Sequence, residues 1–569
     1  MDRNASRPAS ALWISEKNLL AAAIFALLGL AIFFRLWKLG TIPGVNGDEA
    51  WLGWKAFEFA RSGKLDWATN SGNLTSPFYI LPLAALHKIF SPSVELLRAV
   101  SVMSGLLVLP VNFLLCRKVY DPRTAWASTL LLALLPMNVV YSRFGWEPSQ
   151  IVLFALPVVY VSLWFCGSSR LFPRGLVLVG VSLFLAFLVH PTTFFLSGLV
   201  GGAVLARFMH PEKSPKAFWA YCCALLLGFL CLGLAAIFFA PSTVRVEMIE
   251  RLGSLAWLAD SGRSLLSALR VFNGISALSY LPGSWPEARE IFDKAHFPSI
   301  LWPDILALAV FLFSAFVLGS LWKRTEIKQT TPENQRRDLV LLSTFIGSAG
   351  LFLLLNGPEK ISVWNDRYGL WLLPIGILLV SRAWSQAISF FPSYRKSLLA
   401  LGVCVPFLFC LQVAHGYFYE ALTTGGNSGL DGRIANQEIK AQAAADLLSL
   451  SRDFPNKPTI KPTLVSSDWF VYWPMVYSLR SEKGWKKWRT THEKLYPHYQ
   501  IDPNWNWTND VPQNLVVFAD FVDSPSWKVW DEIIKTSGIP YTEAKYHDIA
   551  GRCVLVVKMP QDLAEIPKH

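Results

Sequence analysis

No Cys-x-x-Cys pair occurs in this chain. Its 8 cysteines are scattered in or beside apolar runs, with Cys553 alone in a polar stretch, so neither a zinc site nor a disulfide framework is indicated. Charge is scarce as well. Only 16% of the residues are charged against 53% hydrophobic, and the mean hydropathy is +0.36, too apolar for a soluble protein of 569 residues. The net charge of +12 would suit nucleic acid, but no RNA- or DNA-binding motif is present. Its basic residues fall in short clusters between apolar runs, the pattern that orients a membrane protein. No internal repeat or low-complexity tract is evident. That weighs against a transporter or flippase of lipid-linked sugars, the alternative class, which should show paired half-repeats. No small-residue cleavage site follows the first apolar run, which therefore reads as a retained span.

What is present is a series of long apolar runs with abundant Trp (24) and Phe (38), as interface belts require. The first spans from about Asn18 to Trp37. Others are Glu95–Cys116, Ala125–Tyr141, Ile151–Cys166, Gly175–His190, Phe194–Phe208, Ala217–Ala240, Ile300–Trp322, Leu339–Asn356, Tyr368–Ser381 and Ser397–Leu411. The expectation is an α-helical polytopic membrane protein of about eleven transmembrane helices. Arg3, Arg7 and Lys17 put the N-terminus in the cytoplasm. The clusters around Arg117, Arg170, Lys213, Arg336 and Arg395 then all fall on that side, provided that Ser76–Phe90 does not cross. With about 14 residues and two prolines it is too short for a core of roughly 30 Å.

Residues 1–415 thus form a membrane domain, with a first outer loop at 38–93 and a long outer loop at 241–299. Residues 416–569 alternate helix-like and strand-like runs and read as an extracytoplasmic α/β domain on the outer face.

The first outer loop holds the most informative stretch, Val45–Gly63. Asn46 or Asp48 can cap a helix there and Gly63 can end it. Its aromatic side, beside a span, predicts an interfacial helix. Asp48 and Glu49 stand at its start, where capping and the helix dipole already favour acids. Adjacent helical residues point about 100° apart, so one acid can face a substrate while the other holds it from behind. The outer face also carries Arg143 and Glu147, then His190, then Arg367 and Tyr368. Each alone has a plain structural reading as an anchor, ion pair or helix cap. Acids and bases converging on one face fit transfer away from a phosphate leaving group.

These residues carry a resemblance. GDEA at Gly47–Ala50, a short proline-bearing helix, CRKVYDPR, a span ending YSRFGWEPS, and DRYGLWLLPIG at Asp366–Gly376 resemble the GT-C superfamily of polyprenyl-phosphate-sugar glycosyltransferases. The similar branch holds protein O-mannosyltransferases and aminoarabinose lipid A transferases. The resemblance implies a GT-C-like fold and an inverting transfer. By that resemblance the sugar would move from a polyprenyl-monophosphate carrier to a hydroxyl of a lipid, glycan or protein on the periplasmic or lumenal face of a bacterial inner or plasma membrane. It implies catalytic roles for Asp48, with Glu49 beside it, and for Glu147, and donor-phosphate contacts from Arg367 and Arg143. Tyr368 and His190 are further candidates on that face. No cofactor is required; a divalent metal held by Asp48, Glu49 and Glu147 is the alternative. The implied partners are the lipid-linked donor, the acceptor and membrane lipids, with no nucleic acid. Relatives often carry a basic residue and a double proline after the acidic loop, where this chain reads NLTSPFY.

Overall fold

The computed structural model describes residues 16–65, 67–68, 74–168, 172–239, 272, 310–319, 331–356, 366–419, 421–422, 439–452, 463–481, 489–492, 516–522, 524, 526–547, 551 and 553–561. Apart from Phe272, the expected outer loop 241–299 lies outside the described residues, as do the N-terminal Arg3 and Arg7 and the aromatic tract Asn504–Asp510.

The membrane part is a helical bundle. In chain order it contains α1 (Glu16–Leu36), α2 (Gly47–Ser62), α3 (Pro77–Ile89), α4 (Val94–Val119), α5 (Pro122–Leu134), α6 (Pro136–Tyr141), α7 (Ile151–Gly167), α8 (Phe172–Val189), α9 (Ser197–Met209), α10 (Pro215–Phe239), α11 (Pro332–Asn356), α12 (Leu372–Phe390) and α13 (Arg395–Val413). Among the described residues, 6 helical segments are long and apolar enough to cross a membrane, and Leu20–Leu36, Pro173–Val189 and Val310–Gly319 are apolar but shorter. Large side chains such as Leu226, Leu234 and Phe238 on α10 are exposed, which is unfavourable in water and natural against lipid. This is a multi-pass helical membrane protein.

Several boundaries differ from those expected. The Ala125–Tyr141 run is broken into α5 and α6 at Leu135, because Pro136 has no N–H to continue the ladder and clashes with the preceding turn. The run expected to stop at Ser381 continues to Phe390, since Arg382 is paired inside the bundle rather than placed in a loop. As expected, α3 is short, with 13 residues. At 1.5 Å per residue it covers about 20 Å and cannot span.

The C-terminal part is a mixed sheet in the order β2-β1-β3-β5-β4, built from β1 (Thr463–Ser466), β2 (Arg489–His492), β3 (Val516–Phe521), β4 (Tyr541–His547) and β5 (Cys553–Pro560). β1 runs parallel to β2 and β3; β5 runs antiparallel to β3 and β4. Strand alternation divides the side chains between two faces. Leu464, Val517 and Ala519 pack under α14 (Ile439–Arg452) and α15 (Trp469–Ser481), while Val465, Val516 and Phe518 pack under Trp530 of α16 (Ser526–Ser537).

The sequence reads Ser466–Tyr477 as an aromatic-rich loop; most of it is α15. The helix has two apolar stripes, each at four-residue spacing. Val471, Met475 and Leu479 enter the sheet core, whereas Trp469, Trp473 and Tyr477 pack with α2, α3 and α4.

Candidate active site

The N-terminus of α2 is fixed by a reciprocal cap. Asn46 is extended (φ −79°, ψ 150°), and its side chain accepts from the Asp48 N–H at 2.8 Å. Glu49 Oε2 accepts from the Asn46 N–H at 2.9 Å, which completes a capping box. At the other end Gly63 takes the left-handed conformation (φ 69°) and donates to Phe59 O at 2.9 Å.

Glu49 is wholly buried, and so is its partner Arg98 on α4. Arg98 Nε meets Glu49 Oε1 at 3.1 Å, and Nη2 meets Oε2 at 3.1 Å. The same guanidinium donates to Leu39 O at 2.7 Å and Gly44 O at 3.2 Å. Glu49 Oε1 also takes the Gly145 N–H from the second loop. Both oxygens of Glu49 are therefore engaged twice, and the residue ties three chain segments together behind the helix start. Arg98 lies within the apolar run Glu95–Cys116 and was not singled out by sequence reasoning. A lone arginine inside an apolar helix is the signal that would have found it.

Asp48 sits one residue earlier, half-buried, with Oδ1 accepting the Trp469 indole N–H at 3.0 Å. Glu147 lies within Coulombic reach of Asp48, Arg367 and Lys55. Its loop is pinned by Ser149 Oγ to Ser101 Oγ at 2.9 Å and by Gln150 Nε2 to Phe78 O at 2.9 Å. Glu147 Oε2 is buried with no hydrogen-bond partner. The Arg367 guanidinium lies 4.7 Å from the Trp146 ring and 4.9 Å from the Tyr368 ring, and Nη2 donates to Tyr368 Oη at 3.2 Å. Cation–π contacts hold the planar fork. His190 stacks obliquely on Tyr368, with 6.0 Å between centroids, and caps the turn Pro191–Leu196 by accepting from the Thr192 N–H at 3.3 Å. Burial first, then the Arg367 charge, pushes the His190 pKa down to about 3, so the ring is neutral near pH 7.

Asp48, Glu147, Arg367, Tyr368 and His190 thus gather at one end of the bundle. Glu49 lies behind them. Arg143 is drawn elsewhere. It is fully buried and donates to Phe34 O at 2.6 Å, Trp37 O at 2.8 Å and Ile42 O at 2.6 Å, capping the end of α1. Among the described residues no three metal-ligating side chains converge. The donor set Asp48, Glu49 and Glu147 does not fit a metal, because both Glu49 oxygens are committed to Arg98 and to backbone N–H groups.

No protein family matches the chain's sequence, and no curated protein matches it. Solved structures do overlay on it. The oligosaccharyltransferase of Archaeoglobus fulgidus, in its apo form, is 14% identical over 94% of this chain and 70% of its own, with a TM-score of 0.44. The same enzyme in complex with Zn and sulfate is 12% identical over 93% of this chain and 72% of its own, with a TM-score of 0.45. ArnT from Cupriavidus metallidurans bound to undecaprenyl phosphate is 12% identical over 95% of this chain and 98% of its own, with a TM-score of 0.48. Superpositions at this level assign no role to any residue here.

Proposed function

We propose that this protein is a membrane glycosyltransferase that moves a sugar from a polyprenyl-monophosphate carrier to an acceptor hydroxyl. The observation that carries this reading is the meeting of Asp48, Glu147 and Arg367, from three distant chain segments, at one end of an apolar bundle. Acids and a guanidinium at a lipid-facing boundary suit a reaction in which a phosphate departs and a hydroxyl loses its proton.

In the proposed step the acceptor oxygen bonds to the anomeric carbon as that carbon's bond to the phosphate oxygen breaks. The acceptor proton passes to Asp48. The polyprenyl phosphate leaves with the bonding electron pair, and configuration inverts. A weak carboxylate base suffices, because proton transfer comes late, when the anomeric carbon is already cation-like. Arg367 meets the phosphate oxygens with its planar bidentate fork, held in place by Trp146 and Tyr368. Glu147 Oε2 is available to a sugar or acceptor hydroxyl. Glu49 takes no chemical step and keeps the first turn of α2 in place. The basic clusters between the apolar runs, read by the positive-inside rule, favour a site outside the cytoplasm.

The test is label transfer by the full-length protein in lipid nanodiscs. It is given radiolabelled undecaprenyl-phosphate hexoses or pentoses, with total membrane extract as the acceptor pool. The expected result is transfer together with release of undecaprenyl phosphate, reduced about 10²–10⁴-fold by Asp48→Asn. If no donor is consumed, or if Asp48→Asn transfers as fast as wild type, the reading fails.

A further inference from the structure

The indole that meets Asp48 comes from the C-terminal domain, 421 residues along the chain. Its fit is specific. A Cβ placed on Gly47 would lie 2.4 Å from Trp469 Cδ1 and 2.7 Å from the Trp469 carbonyl oxygen. Position 47 is therefore kept bare by the indole, although the helix itself would accept alanine more readily. Trp469 also packs on the Trp51 ring, with 6.2 Å between centroids.

The segment that delivers Trp469 is anchored from within the domain. Asp520, buried at the end of β3, accepts from Ser466 Oγ at 2.9 Å, Ser467 N at 3.2 Å, Ser467 Oγ at 2.7 Å, Asp468 N at 3.2 Å and Trp530 Nε1 at 2.9 Å. One carboxylate thus fixes the whole turn before α15. The domain is held to the acidic loop at two further points. Lys440 is fully buried and donates to Val45 O at 2.7 Å, and Tyr477 Oη donates to Ser93 O at 3.2 Å.

We infer that Trp469 is a positioning residue for Asp48, seated by Asp520, so that the C-terminal domain completes the active site rather than only covering it. This rests on the reading of Asp48 as the carboxylate facing the acceptor. An N–H donated to a carboxylate fixes its orientation and favours its ionised form.

Trp469→Phe tests it, since phenylalanine keeps an aromatic ring in place and lacks the N–H donor. A hydrogen bond to a charged group of this kind corresponds to a fall in kcat of about tenfold or more. KM for the donor should hold, and the acid limb of the pH–rate profile should move to higher pH. A purely packing role would leave that limb in place. Wild-type kcat with an unmoved acid limb overturns the inference. Asp520→Asn, which disturbs only the seat, should move the limb in the same direction.

A second measurement does not depend on sugar transfer. Thermal unfolding of the full-length protein is compared for wild type, Asp48→Ala, Trp469→Phe and the double variant. Coupled Tm shifts support the contact, and additive shifts overturn it. Should Asp48→Asn prove fully active while the Tm shifts remain coupled, the proposed function falls and the seating of Asp48 by Trp469 stands.

Discussion

The two ends of the bundle use charge in opposite ways. At the end away from the site, Arg382 Nε meets Asp338 at 3.1 Å and Nη1 meets Asp121 at 3.4 Å. Arg336 Nε meets Glu212 at 3.0 Å and Nη1 donates to Cys166 O at 2.9 Å. Arg337 donates to Val119 O at 2.8 Å and Leu163 O at 3.2 Å. Each guanidinium there fastens helix ends together. At the site end Glu49 with Arg98, and Arg143 with the carbonyls that end α1, are built that way. In front of them Glu147 leaves an oxygen with no hydrogen-bond partner, and Arg367 rests on aromatic faces. A structural charge is matched in place. A buried carboxylate oxygen without a partner, as in Glu147, is costly unless a ligand completes it.

The comparison predicts different consequences at the two ends. The largest effect falls on Asp48. Asp48→Asn should fold as wild type and lose about 10²–10⁴-fold in transfer rate. Retention of more than about a tenth of the rate would leave Asp48 a first-turn acid of structural value only and move the chemistry elsewhere.

Next come the buried pairs. Removing one partner of such a pair costs about 3–5 kcal/mol. Glu49→Gln should therefore lower stability and, by releasing the first turn of α2, activity per folded molecule. Arg382→Met should lower stability comparably while kcat per folded molecule stays at the wild-type value. Denaturation and kcat measured on the same preparations separate the two. Equal kcat losses would erase the distinction between the ends.

Arg367→Ala should weaken binding of undecaprenyl phosphate by about tenfold or more, with Arg367→Lys recovering part of it. Isothermal titration in nanodiscs reads this directly, and unchanged binding in both variants would detach Arg367 from the phosphate.

The smallest effect is expected at His190. Because its ring is held neutral, with a pKa near 3, it does not ionise between pH 5 and 8 and sets no limb of the rate profile there. His190→Asn keeps a capping acceptor and should change kcat by less than about twofold, in line with the few tenths of a kcal/mol separating good caps. A limb near pH 6 that vanishes in this variant would overturn that reading.

Much of the local geometry of the candidate site was legible in sequence. Asn46, the acids at 48 and 49, and Gly63 delimit α2 because capping and left-handed glycine act over a few residues. The divergence of Asp48 from Glu49 follows from the helical repeat. The shortness of α3 was legible for the same kind of reason. Arg143 shows the limit: its position in the second loop suggested a phosphate contact, whereas its guanidinium is occupied by the carbonyls that end α1.

Composition and hydropathy determined the apolar helical bundle, and local capping signals determined the helix that begins at Gly47, since burial in lipid and helix capping are properties of short windows. Contacts across hundreds of residues settled the rest. Arg98 locks Glu49 across 49 positions, Lys440 holds Val45 across 395, and Trp469 reaches Asp48 across 421. No window contains both partners of such a contact. The aromatic stretch that holds Trp469 resembled a loop only because its helix is apolar on two sides, one for its own sheet and one for the acidic loop. Packing chose between those faces, and in doing so brought the end of the chain to the carboxylate near its beginning.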